Sequence, residues 1–175
     1  MGTDIHVFME RKHKGNWVPV HPPEYTGSMD YDSPEHDWHH FGRYADPIPM
    51  MEQLAHEAMP FEDRVPSRAE EWHVSRDYML FGNLANVRCH YDRTVFDEAR
   101  GTAPDMSPAV EESIDGYHSL SWWQLDELAS LRGAFPDDDE HISDMVKVLI
   151  EAMRTIAKDY NLAEDQVRMV FGFDS

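Results

Sequence analysis

The sequence predicts an α+β domain: a small antiparallel or mixed β-sheet, made from an N-terminal hairpin and a C-terminal strand, packed with about four helices. Three observations predict it. Residues 4–10 alternate, with Ile5, Val7 and Met9 on one side and Asp4, His6, Phe8 and Glu10 on the other, the period of two of a strand. Val167, Met169, Phe171 and Phe173 alternate in the same way near the C-terminus. Between them Ile142, Met145, Leu149, Met153, Ile156 and Tyr160 step at helical spacing, and no repeating β-α-β rhythm would build a parallel sheet.

The elements follow in order. Lys14-Gly15-Asn16 supplies a turn and Trp17-Val18-Pro19-Val20 resumes an extended run, which reads as a hairpin with its tip near Gly15. The basic run Arg11-Lys12-His13-Lys14 falls on that tip. Residues 21–47 carry prolines, aspartates, histidines and aromatics without a period, a long loop or insertion. Ile48, Met51, Leu54, Ala55 and Ala58 suggest a helix ending before Pro60. Ser75 is placed to cap a helix that carries Tyr78, Phe81, Leu84 and Ala85. Residues 88–117 read as irregular. Ser121-Trp122-Trp123-Gln124 fits a capping box for a helix through Leu125, Leu128 and Leu131, with Gly133 as its stop. Asp137, Asp138, Asp139 and Glu140 suit the positive end of the longest helix.

Composition sets the outer limits. The 175 residues fit one domain spanning 1–175 with a real core, and 41% hydrophobic residues exclude a disordered composition. No apolar run approaches the roughly 20 residues that span a bilayer. The opening Met-Gly-Thr-Asp-Ile-His does not read as a secretion signal. Cys89 is the single cysteine, so an internal disulfide and a thiolate-rich zinc site are excluded, and a reducing cytoplasm is expected. Asp plus Glu number 34 against 15 Lys plus Arg, a net charge of −19. Such a surface repels nucleic-acid phosphates and anionic membranes and favours basic partners or metal ions. Solubility is its plain explanation; mimicry of nucleic acid to fill a basic groove is the sharper one. Eleven histidines would erode the negative charge below about pH 6.5.

Four groups of residues offer chemistry. Asp4 and His6, two apart on a strand, project from one face about 6.5–7 Å apart at Cα, where they can converge on a metal ion or a substrate group; a solvent-facing pair looks the same. His118-Ser119-Leu120-Ser121 stands before an expected helix start, where free backbone amides favour an anion; capping alone explains Ser121. Arg76-Asp77-Tyr78 opens another helix and Arg88 follows; the arginines suit carboxylate or phosphate recognition, or pair with the many carboxylates. Glu35-His36-Asp37-Trp38-His39-His40 is the densest set of metal-binding side chains, though one loop is a poor frame for a rigid metal centre. Cys89 beside His90 is weak evidence for a nucleophile and base, since strand neighbours point apart. A Gly-rich phosphate loop, a dinucleotide fingerprint, a nucleophile elbow and a basic stripe with aromatics are all missing, so direct nucleic-acid binding is not expected.

Met1-Gly2-Thr3-Asp4-Ile5-His6, Arg76-Asp77-Tyr78-Met79-Leu80-Phe81, Asn86-Val87-Arg88 and Tyr117-His118-Ser119-Leu120-Ser121-Trp122 occur in this order. Together they resemble an uncharacterised family of small proteins common in bacteriophage genomes and prophages. Its members look like they open with Gly-Cys-Asp-Ile-His or Gly-Thr-Asp-Ile-His and carry an Arg-Asn-Tyr helix start and a His-Ser-His-Ser-Trp motif. The closing Val170-Phe171-Gly172-Phe173-Asp174 is also similar. The matching pieces cover about a quarter of the chain. Asp77 stands where asparagine is usual and Leu120 where a second histidine is usual, which weakens any metal site built on both histidines. The resemblance implies a phage or prophage origin, hence the cytoplasm of a bacterial host, and no activity.

The sequence therefore leads to three expectations of function. The first is an accessory protein that binds a small polar ligand, phosphate- or nucleotide-like, at Asp4, His6, Arg76, Tyr78, Arg88, His118, Ser119 and Ser121, and counteracts host defence. The second is a metal-dependent hydrolase of a small phosphorylated substrate, with a divalent ion on Asp4, His6 and His118 activating water. The third is an acidic protein docking on a basic host protein. Self-association is left open.

Overall fold

A computed structural model describes residues 4–22, 58–72, 74, 78–87, 97–131 and 140–174. The expected loop at 21–47 and helix at 48–58 lie almost wholly outside them, as do Arg76, Arg88, Cys89, His90 and the cluster of His36, His39 and His40. The fold class is as the sequence predicts, with a wholly antiparallel sheet. Strands β1 (Ile5–His13), β2 (Asn16–Val20), β3 (His118–Gln124) and β4 (Val167–Phe173) run in the order β2-β1-β4-β3. Among the described residues four α-helices accompany them: α1 (Tyr78–Ala85), α2 (Pro108–Ser113), α3 (Leu125–Ser130) and α4 (Glu140–Asp159). None of the helices described is long and apolar enough to cross a membrane.

The hairpin turn is set by Lys14 and Gly15, both at positive φ (49° and 85°), as a two-residue turn matched to strand twist requires. β1 and β4 are the central pair. Ile5, Val7 and Met9 lie opposite Phe173, Phe171 and Met169, so both strands present these residues to one face. That face carries the main core. Leu80, Phe81 and Leu84 of α1, Leu125 and Leu128 of α3, and Leu149, Ile150, Met153 and Ile156 of α4 close over it.

The opposite face is also covered. Phe8 and Val170 pack there with Ala103, Val110 and Ile114, flanked by Tyr117, Leu120 and Trp122. The sheet is thus the middle layer of three. The covering segment contains α2, which the sequence left irregular. Ser107 is its N-cap, accepting from Val110 N at 3.3 Å, and Pro108 occupies the first turn, the usual place for proline in a helix.

Two charges lie inside this second interface. Glu10 on β1 is opposite Arg168 on β4, and both are fully buried. Arg168 Nε donates to Glu10 Oε2 at 2.7 Å, and Nη2 lies at the same distance from it. Glu10 Oε1 accepts from Ser107 N at 2.8 Å, and Arg168 Nη1 donates to the Pro104 carbonyl at 2.7 Å. The Trp17 ring lies 4.0 Å from the guanidinium carbon. Burial lowers the Arg168 pKa, opposed by the attraction of Glu10. The hairpin's basic run is dispersed by the fold. Arg11 is buried against Tyr160 and donates to the carbonyls of Glu62 and Arg64, while Lys14 pairs with Asp63 at 2.7 Å.

The helix start expected at Ser121 is corrected. Residues 118–124 are a strand, because Trp122 and Trp123 pair with Val170 and Met169 of β4 and each needs one face of the sheet. Ser121 is completely buried within it, and its Oγ accepts from Arg100 N at 3.3 Å. The cap falls three residues later, where Gln124 N donates to Glu127 Oε2 at 3.0 Å. The outer edge of β3 is partly covered: Gly101 N donates to Leu120 O at 2.8 Å and Arg100 Nη1 to Trp122 O at 3.1 Å. Arg100 is held there by Asp97, Glu127 and the Trp123 ring, 3.9 Å away.

Removing one partner of the buried pair leaves an uncompensated charge, so Arg168→Met is expected to cost about 3–5 kcal/mol. The double variant Glu10→Leu/Arg168→Met is expected to recover much of that loss in a urea unfolding series.

Candidate functional site

The polar residues of interest collect at the end of the sheet where β1 starts and β4 ends. The first strand brings His6 opposite Gly172, two residues before Asp174, which lies just beyond the strand end. Asp174 closes the ladder. Its backbone N donates to Asp4 O at 3.2 Å, and its side-chain Oδ1 accepts from Asp4 N. A separate segment bridges to β1 below the hairpin, with Trp72 N donating to Val7 O at 2.7 Å and Trp72 Nε1 to Val20 O at 2.8 Å. That bridge sets Glu71 beside His6.

His6 is consequently held on three sides. Its Nδ1 lies 3.0 Å from Glu71 Oε2; a carboxylate only accepts, so Nδ1 carries the hydrogen. Its Nε2 lies 3.5 Å from Asp174 Oδ2. Its ring stacks on Tyr117, centroids 4.2 Å apart and planes 12° from parallel. Protonated, this imidazole would sit between two carboxylates. Burial raises the Tyr117 pKa above the ordinary phenol value, reinforced by the charges of Glu71 and Asp174. Gly172 makes room for the stack. A Cβ there would stand 2.6 Å from Leu120 Cδ2 and 3.0 Å from Tyr117 Cβ.

His118 reaches the same end of the sheet from the other side. It lies opposite Phe173, whose ring belongs to the main core, and the two rings are 6.0 Å apart at 21°. Directly paired residues share a face, so His118 and His6 project from opposite faces and meet only through Asp174. His6 approaches its carboxylate, whereas His118 Nε2 donates to its backbone carbonyl at 3.1 Å. His118 Nδ1 is 3.0 Å from Ser119 Oγ. Ser119 has φ +52° and lies in a bulge between His118 and Ser121.

The expected site thus divides. Asp4 and His6 share one end of β1 with Tyr117, Glu71 and Asp174, while His118 and Ser119 sit on β3 facing the other way. Ser121 is inside the core, and Tyr78 packs half-buried against the main core. The anion site expected from a helix start at His118 loses its basis, because no helix begins there. Among the described residues no three His, Cys, Asp or Glu side chains are grouped to hold a metal ion. The split across the sheet is the physical reason Asp4, His6 and His118 do not form such a group. Sequence reasoning did not single out Tyr117, Glu71 or Asp174. Tyr117 and Asp174 border motifs that the sequence does display, but Glu71 sits in an aperiodic stretch and only the Trp72 bridge gives it a place.

No protein-family model matches the chain, and neither a curated protein nor a solved structure does.

Two measurements check this geometry. Gly172→Ala is expected to cost about 1–3 kcal/mol by overpacking, read as a lower urea midpoint. In an ultraviolet pH titration, the difference between wild type and Tyr117→Phe is expected to reveal a tyrosine ionising above the ordinary phenol range. A raised folded-state pKa means that its contribution to stability is complete below the unfolded value and is lost as pH rises through the folded one.

Proposed function

We propose that the chain is an accessory protein of a bacteriophage or prophage that binds a small, polar, nucleotide-like ligand at the His6 end of the sheet, in the cytoplasm of the bacterial host. One observation carries the reading: a flat His6–Tyr117 pair bordered by the carboxylates of Glu71 and Asp174. Aromatic faces suit a planar base, and carboxylates accept hydrogen bonds from its ring or amino N–H groups. Four separate stretches of chain position these groups, which is more than a solvated strand face requires. Arg76 and Arg88 are the candidates for a phosphate, on the chemistry of arginine alone. The resemblance to phage proteins supports the origin, and antagonism of a host defence is the role such a binder would serve. The divalent-metal hydrolase finds no support in the geometry of Asp4, His6 and His118.

The net charge of −19 favours one other reading, docking on a basic host protein. The two separate experimentally. Docking by charge weakens steeply with salt and survives His6→Ala.

The test is a melting-temperature screen with adenosine and guanosine nucleosides and nucleotides. At a hundred times its dissociation constant, a bound ligand adds about 2.7 kcal/mol of stability. Loss of the shift in His6→Ala and its reduction in the exposed-site variant Glu71→Gln are expected. No shift in wild type, or an undiminished shift in His6→Ala, overturns the reading.

A further inference from the structure

We infer that His118 and Ser119 form a base–nucleophile pair for acyl transfer on a carboxylic ester. This rests on β3 and owes nothing to the ligand proposed at His6. A nucleophile–base pair is recognised by side chains within hydrogen-bond reach, with the base oriented by a third group. Ser119 Oγ is 3.0 Å from His118 Nδ1. The third group is a backbone carbonyl: that of Asp174 accepts from Nε2 at 3.1 Å. A carbonyl cannot donate, so the neutral ring carries its proton on Nε2 and aims the Nδ1 lone pair at the serine hydroxyl. This is the tautomer a general base requires. The ring lies beside Phe173, with centroids 6.0 Å apart.

The backbone gives an independent indication. Ser119 holds φ +52°, a left-handed conformation that costs a non-glycine residue about 1 kcal/mol or more. Glycine would make the bulge without strain, so conformation alone does not call for serine there. His118 is exposed and Ser119 is partly exposed, so an ester can reach the pair.

The reaction balances without a further reagent. Ser119 Oγ attacks the ester carbonyl carbon as its proton passes to His118 Nδ1. The tetrahedral adduct collapses, the bond to the alcohol oxygen breaks, and the alcohol departs with that proton. Water then attacks the acyl-serine, delivers its proton to Nδ1, and the acid leaves as Oγ recovers the proton.

The probe is p-nitrophenyl acetate, read by release of nitrophenolate and by peptide mass mapping. Expected are a burst equal to the protein concentration, a single acetyl group on Ser119, and an acylation rate at least about 100-fold lower in His118→Gln. Ser119→Gly suits the positive φ, and is expected to fold as stably as wild type and lose the burst. No burst in wild type, acetylation at another residue, or an unchanged rate in His118→Gln overturns the inference. These outcomes are independent of the nucleotide screen, which depends on His6.

Discussion

The buried pair of Glu10 and Arg168 governs the architecture. It joins the two central strands and, through Ser107 N and the Pro104 carbonyl, ties the segment before α2 to the sheet. Ions of this kind are tolerated away from water only when their remaining hydrogen-bonding groups are satisfied. The covering layer supplies two such hydrogen bonds as well as apolar area, since Val110 and Ile114 close over Phe8 and Val170. One face of the sheet is therefore held by apolar contact with helices, and the other by apolar contact organised around a charge pair.

That arrangement also explains why polar residues gather at one end of the sheet. Towards the Glu10 end, the second face is sealed. At the far end the seal gives way to His6 and Tyr117, where Tyr117 and Leu120 come close over Gly172 just after the chain has turned from α2 through Gly116, at φ +91°. Asp174 then contributes a carboxylate to one face and a carbonyl to the edge strand. A single residue past the last strand thereby orients both imidazoles, although they point away from each other.

Much of the fold was legible because periodicity reports burial. The alternation at 5–9 and 167–173 and the stripe of α4 are direct consequences of one residue type facing a core. Periodicity did not reveal the second interface, where Glu10 and Arg168 are charged residues enclosed between the sheet and its covering layer. Serine at 121 followed three residues later by glutamine imitates a helix cap, but two tryptophans demanding opposite faces overrule it. The site was half legible: His6 and His118 could be named from their types, whereas their separation by the sheet depends on the register of β3 against β4. Glu71 was illegible, being placed by a single bridge from a distant stretch to Val7.

The central strand pair has a temporal consequence. Glu10 and Arg168 are 158 residues apart in sequence, so β1 emerges from the ribosome long before β4. At cellular translation speeds that delay is roughly 10–30 s, during which Val7, Phe8 and Met9 have no native partner on the β4 side. A nascent chain with an apolar strand waiting that long is a natural client for a holding chaperone. The charge of Glu10, set among these residues, then serves before folding as a deterrent to premature pairing.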